Sequence, residues 1–288
     1  MRASSLYFAH KIPTTHNIKV IFASSMFNLC EFMALRPDLK TAKTILYFHE
    51  NQLNYPKRKA EEERDFHFGW VQILSCLCAD QVVFNSEYNM NTFFAAIPQA
   101  LNKVPTFQFN TEDILTQIKK KSSILYFPLK IPDIHLKLNN IKKAQDTINI
   151  LWNHRWEYDK DPDSFFEVIL KLSKRTKNFK VFVLGEAYEE QPKIFESAKG
   201  QLEELGVIGH WGYCESKEKY YEILNMCHVV ISTAIHEFYG VAILEAVLII
   251  FTFRFYVAVT LSVPIGWCIQ NIWIRIICLI HQVNFTKN

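Results

Sequence analysis

Glycine is scarce in this sequence. The 288-residue chain has eight glycines, and none of them forms a GxGxxG turn or a P-loop. Phosphate recognition, if the protein performs it, must therefore come from helix ends and cationic side chains. No GxSxG, HExxH or kinase-type motif set occurs either, which removes several enzyme classes. The seven cysteines (Cys30, Cys76, Cys78, Cys214, Cys227, Cys268 and Cys278) are odd in number and contain no CxxC pair. Most lie in apolar runs and read as reduced core residues of a cytosolic protein. The N-terminus carries Arg2, His10 and Lys11 without a long apolar stretch, so no secretory signal is evident. A formal net charge of +3 is too mild to argue for nucleic-acid binding by itself.

With 49% hydrophobic and 14% aromatic residues, the chain is globular and long enough for two domains with real cores. Strand and helix patterns alternate through the first half. Strands are expected at Ile18 to Phe22, Thr44 to Phe48, Gln81 to Phe84 and Ile124 to Phe127. Ser24 or Ser25 is the expected cap of a helix reaching Leu35, Asp65 of a helix running through Ala79, and Ser86 of a helix carrying Met90, Phe93 and Phe94. A polar, aperiodic stretch then marks a boundary, giving an N-terminal α/β domain over 1–132, a linker over 133–147 and a second α/β domain over 148–247. In the second domain, strands are expected at Ile148 to Trp152, Lys180 to Leu184, His210 to Tyr213 and Val229 to Ser232. Helices are expected at Pro162 to Lys174, Pro192 to Leu205 and Lys217 to Met226. Such alternation implies parallel sheets covered on both faces, with a cleft between the strand C-termini of two Rossmann-like domains.

The stretch from His228 to Val247 compresses a strand, a turn and a helix start. Glu237 falls beside the first amides of that helix and Glu245 on its second turn, so the pair can accept hydrogen bonds from hydroxyls at either end of a sugar nucleotide. A first-turn dipole partner and a solvent-facing charge would look the same. Arg155 and Lys160 follow the strand at 148–152, and a guanidinium fork and an ammonium suit a diphosphate; a surface cation pair is the alternative. Asp159, Asp161 and Asp163 suggest a metal only superficially, because Asp161 before Pro162 is a helix cap. His49 ends a strand, where it can bond a substrate or serve as a structural histidine. The clusters Lys57-Arg58-Lys59 and Lys119-Lys120-Lys121 read either as contacts to a nucleic-acid backbone or as solvated faces. Residues 248–288 have no acidic residue, and Phe255 to Ile274 is an uncharged run of twenty. Its length suits a membrane span, but Pro264, Gln270 and Asn271 interrupt it.

Taken together, Glu237 and Glu245, the run His154-Arg155-Trp156-Glu157 with Lys160, and His49 in Tyr47-Phe48-His49-Glu50-Asn51-Gln52 resemble the retaining GT-B glycosyltransferases of family 4. The likeness covers roughly residues 3–247 and is nearer to a branch that modifies transfer RNA. It implies a GT-B-like α/β fold and transfer of mannose from GDP-mannose to queuosine in the anticodon of the aspartate tRNA, in the cytoplasm and also in the nucleus. No cofactor and no metal are implied. By the same resemblance Arg155 and Lys160 bind the donor diphosphate, and Glu237 contacts the sugar hydroxyls. Glu245 meets the ribose, His49 lies near the transferred sugar, and Phe238 and Gly240 lend backbone amides. The chain departs from the family pattern at both ends. A first strand and its glycine-containing loop are missing, and the sequence from Leu248 onward is unlike the family. Both domains are therefore expected to be incomplete, and two alternatives stand: an inactive homologue, or a protein held at a membrane by its tail.

Overall fold

A computed structural model describes residues 3–55, 66–104, 107–129, 147–187, 191–253 and 258–260. It divides into two compact units, one built on Met1–Phe127 and the other beginning at Pro128. The expected linker over 133–147, the Lys57-Arg58-Lys59 cluster and the Asp65 cap lie outside the described residues, apart from residue 147.

The first unit contains α1 (Ser4–Lys11), β1 (Val20–Ser24), α2 (Leu29–Leu35), β2 (Lys43–Phe48) and α3 (Phe66–Cys78). It continues through β3 (Gln81–Phe84), α4 (Glu87–Leu101), α5 (Thr111–Lys120) and β4 (Ser122–Ile124). All four strands are parallel, in the order β1-β2-β3-β4. Side chains two apart on a strand share a face, so Leu46 with Phe48 and Val82 with Phe84 meet Ile73 and Cys76 of α3 and Phe93 and Ile97 of α4 in one core. Ser86 caps α4 as expected, its side chain accepting from the Asn89 amide at 3.0 Å.

Three expectations for this unit need correction. Helix α2 is capped by Asn28, whose Oδ1 accepts from Glu31 N at 3.1 Å, and not by Ser24 or Ser25. Ser25 is buried and its hydroxyl donates to the Glu50 carbonyl at 3.0 Å, which fixes the loop after β2. The last strand lies at Ser122–Ile124, earlier than the apolar run that suggested it; Leu125, Tyr126 and Phe127 are exposed. Lys121 is not part of a free basic face, because its Nζ donates to the carbonyls of Leu77, at 2.8 Å, and Ala79 at the C-terminal end of α3.

The second unit runs β5 (Ile148–Asn153), a 3-10 turn (Tyr158–Lys160), α6 (Pro162–Ser173), β6 (Phe179–Leu184), α7 (Ile194–Glu204) and β7 (Ile208–Gly212). It then continues α8 (Lys217–Met226), β8 (Val229–Ser232), α9 (Val241–Phe253) and β9 (Ala258–Thr260). The strands are parallel in the order β7-β6-β5-β8-β9. From β5 the chain winds outward through β6 and β7, then crosses back to lay down β8 and β9 on the other side. The reversal leaves a crevice between the C-terminal ends of β5 and β8, the position where doubly wound sheets bind ligands.

Both faces of this sheet are apolar, as a fully covered parallel sheet requires. Ile150, Trp152, Val181 and Val183 pack on one side with Phe165 and Phe166 of α6 and Phe195 of α7. Leu151, Phe182 and Leu184 pack on the other with Tyr221 and Leu224 of α8 and Ile243, Leu244 and Val247 of α9. Helix α9 continues past Val247, and Ile249 and Ile250 are buried in that same core. Among the described residues, no helix is long and apolar enough to cross a membrane; most of the run from Phe255 to Ile274 lies outside them.

Candidate functional site

The ends of β5, β6 and β7 and the start of α9 enclose a cavity of about 370 Å³. Its walls come from Asn153, His154 and Arg155 after β5, Gly185 and Glu186 after β6, residues 213–217 and Tyr220 at the start of α8, and Ala242 and Glu245 of α9. All of these residues belong to the second unit.

Glu245 is the most heavily coordinated group in the cavity. It is 8% exposed, so it is not the solvent-facing charge that its spacing also allowed. Its Oε1 accepts from Lys217 Nζ at 2.9 Å and Tyr221 Oη at 3.0 Å, while its Oε2 accepts from Tyr220 Oη at 3.1 Å and Lys217 Nζ at 3.3 Å. Tyr220 is held in turn, because Asn153 Nδ2 donates to its oxygen at 2.9 Å and also to the Ala242 carbonyl at 3.0 Å. Burial lifts the Tyr220 phenol well above its ordinary range, so it remains a proton donor.

The opposite wall is fixed by a close backbone approach. Gly185 has φ +129°, and a Cβ there would lie 1.8 Å from the carbonyl oxygen of His154. Only glycine can hold this contact. The Trp156 amide donates to the Glu186 carbonyl at 3.1 Å, and the Trp156 ring stacks on Phe195 with centroids 4.2 Å apart. Arg155 therefore projects from a loop pinned at both neighbours. It is half exposed, and its Nη2 is 3.2 Å from Glu157 Oε2. His154 is fully enclosed, with Nε2 2.9 Å from Ser232 Oγ across the β5–β8 crevice. Burial, aided by the charge of Lys160, depresses its pKa to about 3, so the ring is neutral.

Lys160 and Glu237 form a second cluster. The Lys160 ammonium, 8% exposed, lies 2.9 Å from Asp159 Oδ2, 3.3 Å from Glu237 Oε2 and 3.1 Å from the His236 carbonyl. Burial opposes its charge, but the two carboxylates outweigh that cost and hold its pKa above the ordinary value. The backbone closes the same loop: Ile235 N donates to Asp159 O at 2.8 Å and Thr233 Oγ1 to Lys160 O at 2.7 Å. Asp161 caps α6 in a left-handed conformation, φ +46°, accepting from Ser164 Oγ at 2.6 Å. Asp159 and Asp161 diverge, since Asp159 faces Lys160 and Asp161 faces Ser164. Among the described residues, no group of three or more histidine, cysteine or acidic side chains is arranged to hold a metal ion.

The structure thus gathers Arg155 and Glu245 around one cavity and pairs Lys160 with Glu237. Phe238 is buried, its ring against His236 with centroids 4.3 Å apart. Gly240, at φ +77°, delivers the chain to α9, and its carbonyl accepts from the Leu244 amide at 2.9 Å. His49 belongs to the first unit, where it is exposed at the end of β2, 3.5 Å from Ser24 Oγ, with its carbonyl held by Asn85 Nδ2 at 2.8 Å. Sequence reasoning placed Asn153 and His154 in the loop beside Arg155 without a role, and missed Lys217, Tyr220 and Tyr221. The signal available for Lys217 and Tyr220 was their spacing, which sets both on one helical face just after the Ser216 cap.

Each unit is a parallel α/β sheet, and the fold is GT-B-like by its similarity to solved structures. An α,α-trehalose-phosphate synthase (UDP-forming) from Burkholderia xenovorans superposes with a TM-score of 0.59 at 10% identity, over 89% of this chain and 61% of that one. Anabaena HepE, solved with UDP and glucose, gives 0.56 at 15% identity, over 93% and 63%. At such low identity these matches establish the fold alone.

The sequence is more specific. Residues 1–129 match the family model for the tRNA-queuosine alpha-mannosyltransferase N-terminal domain, and residues 134–249 match that for glycosyl transferases group 1. The tRNA-queuosine alpha-mannosyltransferase of Drosophila melanogaster is 42% identical over 252 residues, covering 85% of this chain and 65% of that protein. The chain therefore joins an N-terminal domain of the tRNA-queuosine alpha-mannosyltransferase type to a glycosyl transferases group 1 domain, and spans a little under two thirds of the length of this relative.

Proposed function

We propose that the protein transfers mannose from GDP-mannose to queuosine in the anticodon of the aspartate tRNA, with retention at the anomeric carbon. The observation that carries this reading is the meeting of Arg155 and the buried carboxylate of Glu245 in one cavity at the C-terminal ends of β5, β6 and β7. A guanidinium there suits a diphosphate, and a carboxylate there suits the hydroxyls of a ribose. Glu237, held by Lys160 at 3.3 Å, is the group for the sugar hydroxyls, and Lys160 shares its charge with the phosphate as the donor enters. The amides of Phe238 and Gly240 serve the phosphate and sugar from the approach to α9. In the transfer, the bond from the anomeric carbon to the diphosphate oxygen breaks as the acceptor hydroxyl attacks from the same face. The departing oxygen takes the acceptor's proton. Neither a protein nucleophile nor a metal is required in this scheme, and His49 assists the transferred sugar. The cytoplasm and nucleus are the compartments where a tRNA acceptor would be met.

The test is to incubate the purified chain with labelled GDP-mannose and queuosine-containing tRNA, alongside GDP calorimetry. Labelled tRNA is expected, with GDP affinity reduced at least tenfold by Glu245→Ala. Unlabelled tRNA beside an active full-length relative would refute the activity, and GDP affinity unchanged in Glu245→Ala would refute the donor site.

A further inference from the structure

The coordination of Glu245 leaves no room for a ribose. An ionised carboxylate offers about four lone-pair sites, and here four contacts are made, two from Lys217 and one each from Tyr220 and Tyr221. A ribose diol needs acceptors from this same group, so an existing donor must leave. The two tyrosines are poor candidates. Tyr220 is locked by the Asn153 bond at 2.9 Å, and Tyr221 is 2% exposed in the core beneath α9. Lys217 differs from both. Its side chain is 57% exposed, it stands at the first turn of α8 on the cavity wall, and it occupies both carboxylate oxygens at once. Its ammonium also lies 4.8 Å and 5.0 Å from the ring centroids of Tyr220 and Tyr221.

We infer that Lys217 is a displaceable latch on Glu245: it competes with the ribose diol of the nucleotide, and its release sets how strongly the cavity favours ribonucleotides. The inference rests on the donor-site reading above. Lys217 neutralises a carboxylate that would otherwise be buried without a counter-charge. When a nucleoside diphosphate enters, the two hydroxyls take over the positions that Lys217 held, the tyrosine bonds persist, and the ammonium moves into solvent. Part of the hydroxyl–carboxylate bonding energy is thus offset by the loss of an ion pair. A nucleotide without hydroxyls at C2′ and C3′ leaves the latch shut.

The experiment is calorimetry of the full chain with GDP and with 2′,3′-dideoxy-GDP, using wild type, Lys217→Met, Lys217→Arg and Glu245→Gln. Lys217→Met removes the competitor and keeps the aliphatic stem, so GDP binding should tighten about fivefold, the equivalent of one half-exposed ion pair. Binding of the dideoxy nucleotide should stay within about twofold of wild type on the same scale. Lys217→Arg, which can grip the carboxylate through two parallel bonds, should bind GDP no more tightly than wild type. Weaker binding of both nucleotides by Lys217→Met would make Lys217 a direct ligand contact and overturn the latch. So would an unchanged ratio between the two nucleotides in Lys217→Met. Wild type that discriminates between them no better than Glu245→Gln would overturn the donor-site reading as well, which separates the two failures.

Discussion

The neutral histidine at the β5–β8 crevice makes the stability of the second unit depend on pH in a calculable way. His154 ionises at about 6.5 in an unfolded chain and at about 3 in the folded one. Between those values the unfolded state binds a proton that the folded state refuses. Stability therefore rises with pH across that window and falls on acidification. The folded contribution is intact at pH 8. At pH 5.5 the unfolded state gains RT ln(1 + 10), or about 1.4 kcal/mol, and the figure hardly changes if the folded value lies anywhere well below 5. Urea denaturation followed by tryptophan fluorescence suits the measurement, since Trp152, Trp156 and Trp211 all lie in this unit. The reference is His154→Gln, which loses packing and the 2.9 Å bond to Ser232 equally at both pH values. Wild type should exceed the variant by about 1.4 kcal/mol less at pH 5.5 than at pH 8. A difference that does not move with pH would show that His154 takes up its proton while the unit stays folded, and would refute the claim that the crevice excludes charge there.

Two further perturbations follow from the same unit. Lys160→Met leaves Asp159 and Glu237 facing each other without their cation. The carboxylates are 14% and 24% exposed, so the loss should be about 2–3 kcal/mol in urea melts, below that of a fully buried pair. Adding Asp159→Asn and Glu237→Gln should recover most of it, and a triple variant no more stable than the single one would contradict the charge account. Gly185→Ala drives a Cβ into the His154 carbonyl at a positive φ and should cost about 3 kcal/mol. GDP affinity should fall with it, because the wall carrying Arg155 must move; a variant with wild-type melting would mean that the β6 loop is not held as described.

Much of the fold could be read where apolar runs were closed by strong local signals. Strand β8 and helix α8 have the expected bounds, the helix because Ser216 caps it and β-branched strand residues follow it. Ser86 and Asp161 cap as expected because each accepts bonds from its own helix start. The failures came from tertiary context. Ser24 and Ser25 have good capping chemistry, but the loop after β2 claims Ser25, and Asn28 takes the cap. The run at 125–127 is apolar yet exposed, so pattern alone placed β4 too late. Helix α5 was overlooked despite a legible start at Asn110, acids in its first turn and lysines in its last. In the site, Glu237 and Glu245 were visible as a spaced pair, as were Arg155 and Lys160. The cage around Glu245 was not, because Lys217, Tyr220 and Tyr221 precede it by 24 to 28 residues and reach it only through the packing of α8 on α9.

The setting of Arg155 has a consequence for how a ligand is met. One neighbour, His154, is buried and tied to β8, and the other, Trp156, is buried against Phe195 and tied to the loop after β6. The backbone beneath the guanidinium has nowhere to go. An anion arriving there would have to draw one side chain away from Glu157, and the ordering entropy that a mobile loop would surrender has already been lost during folding. Any adjustment at this wall therefore falls to the Arg155 rotamer and not to the sheet.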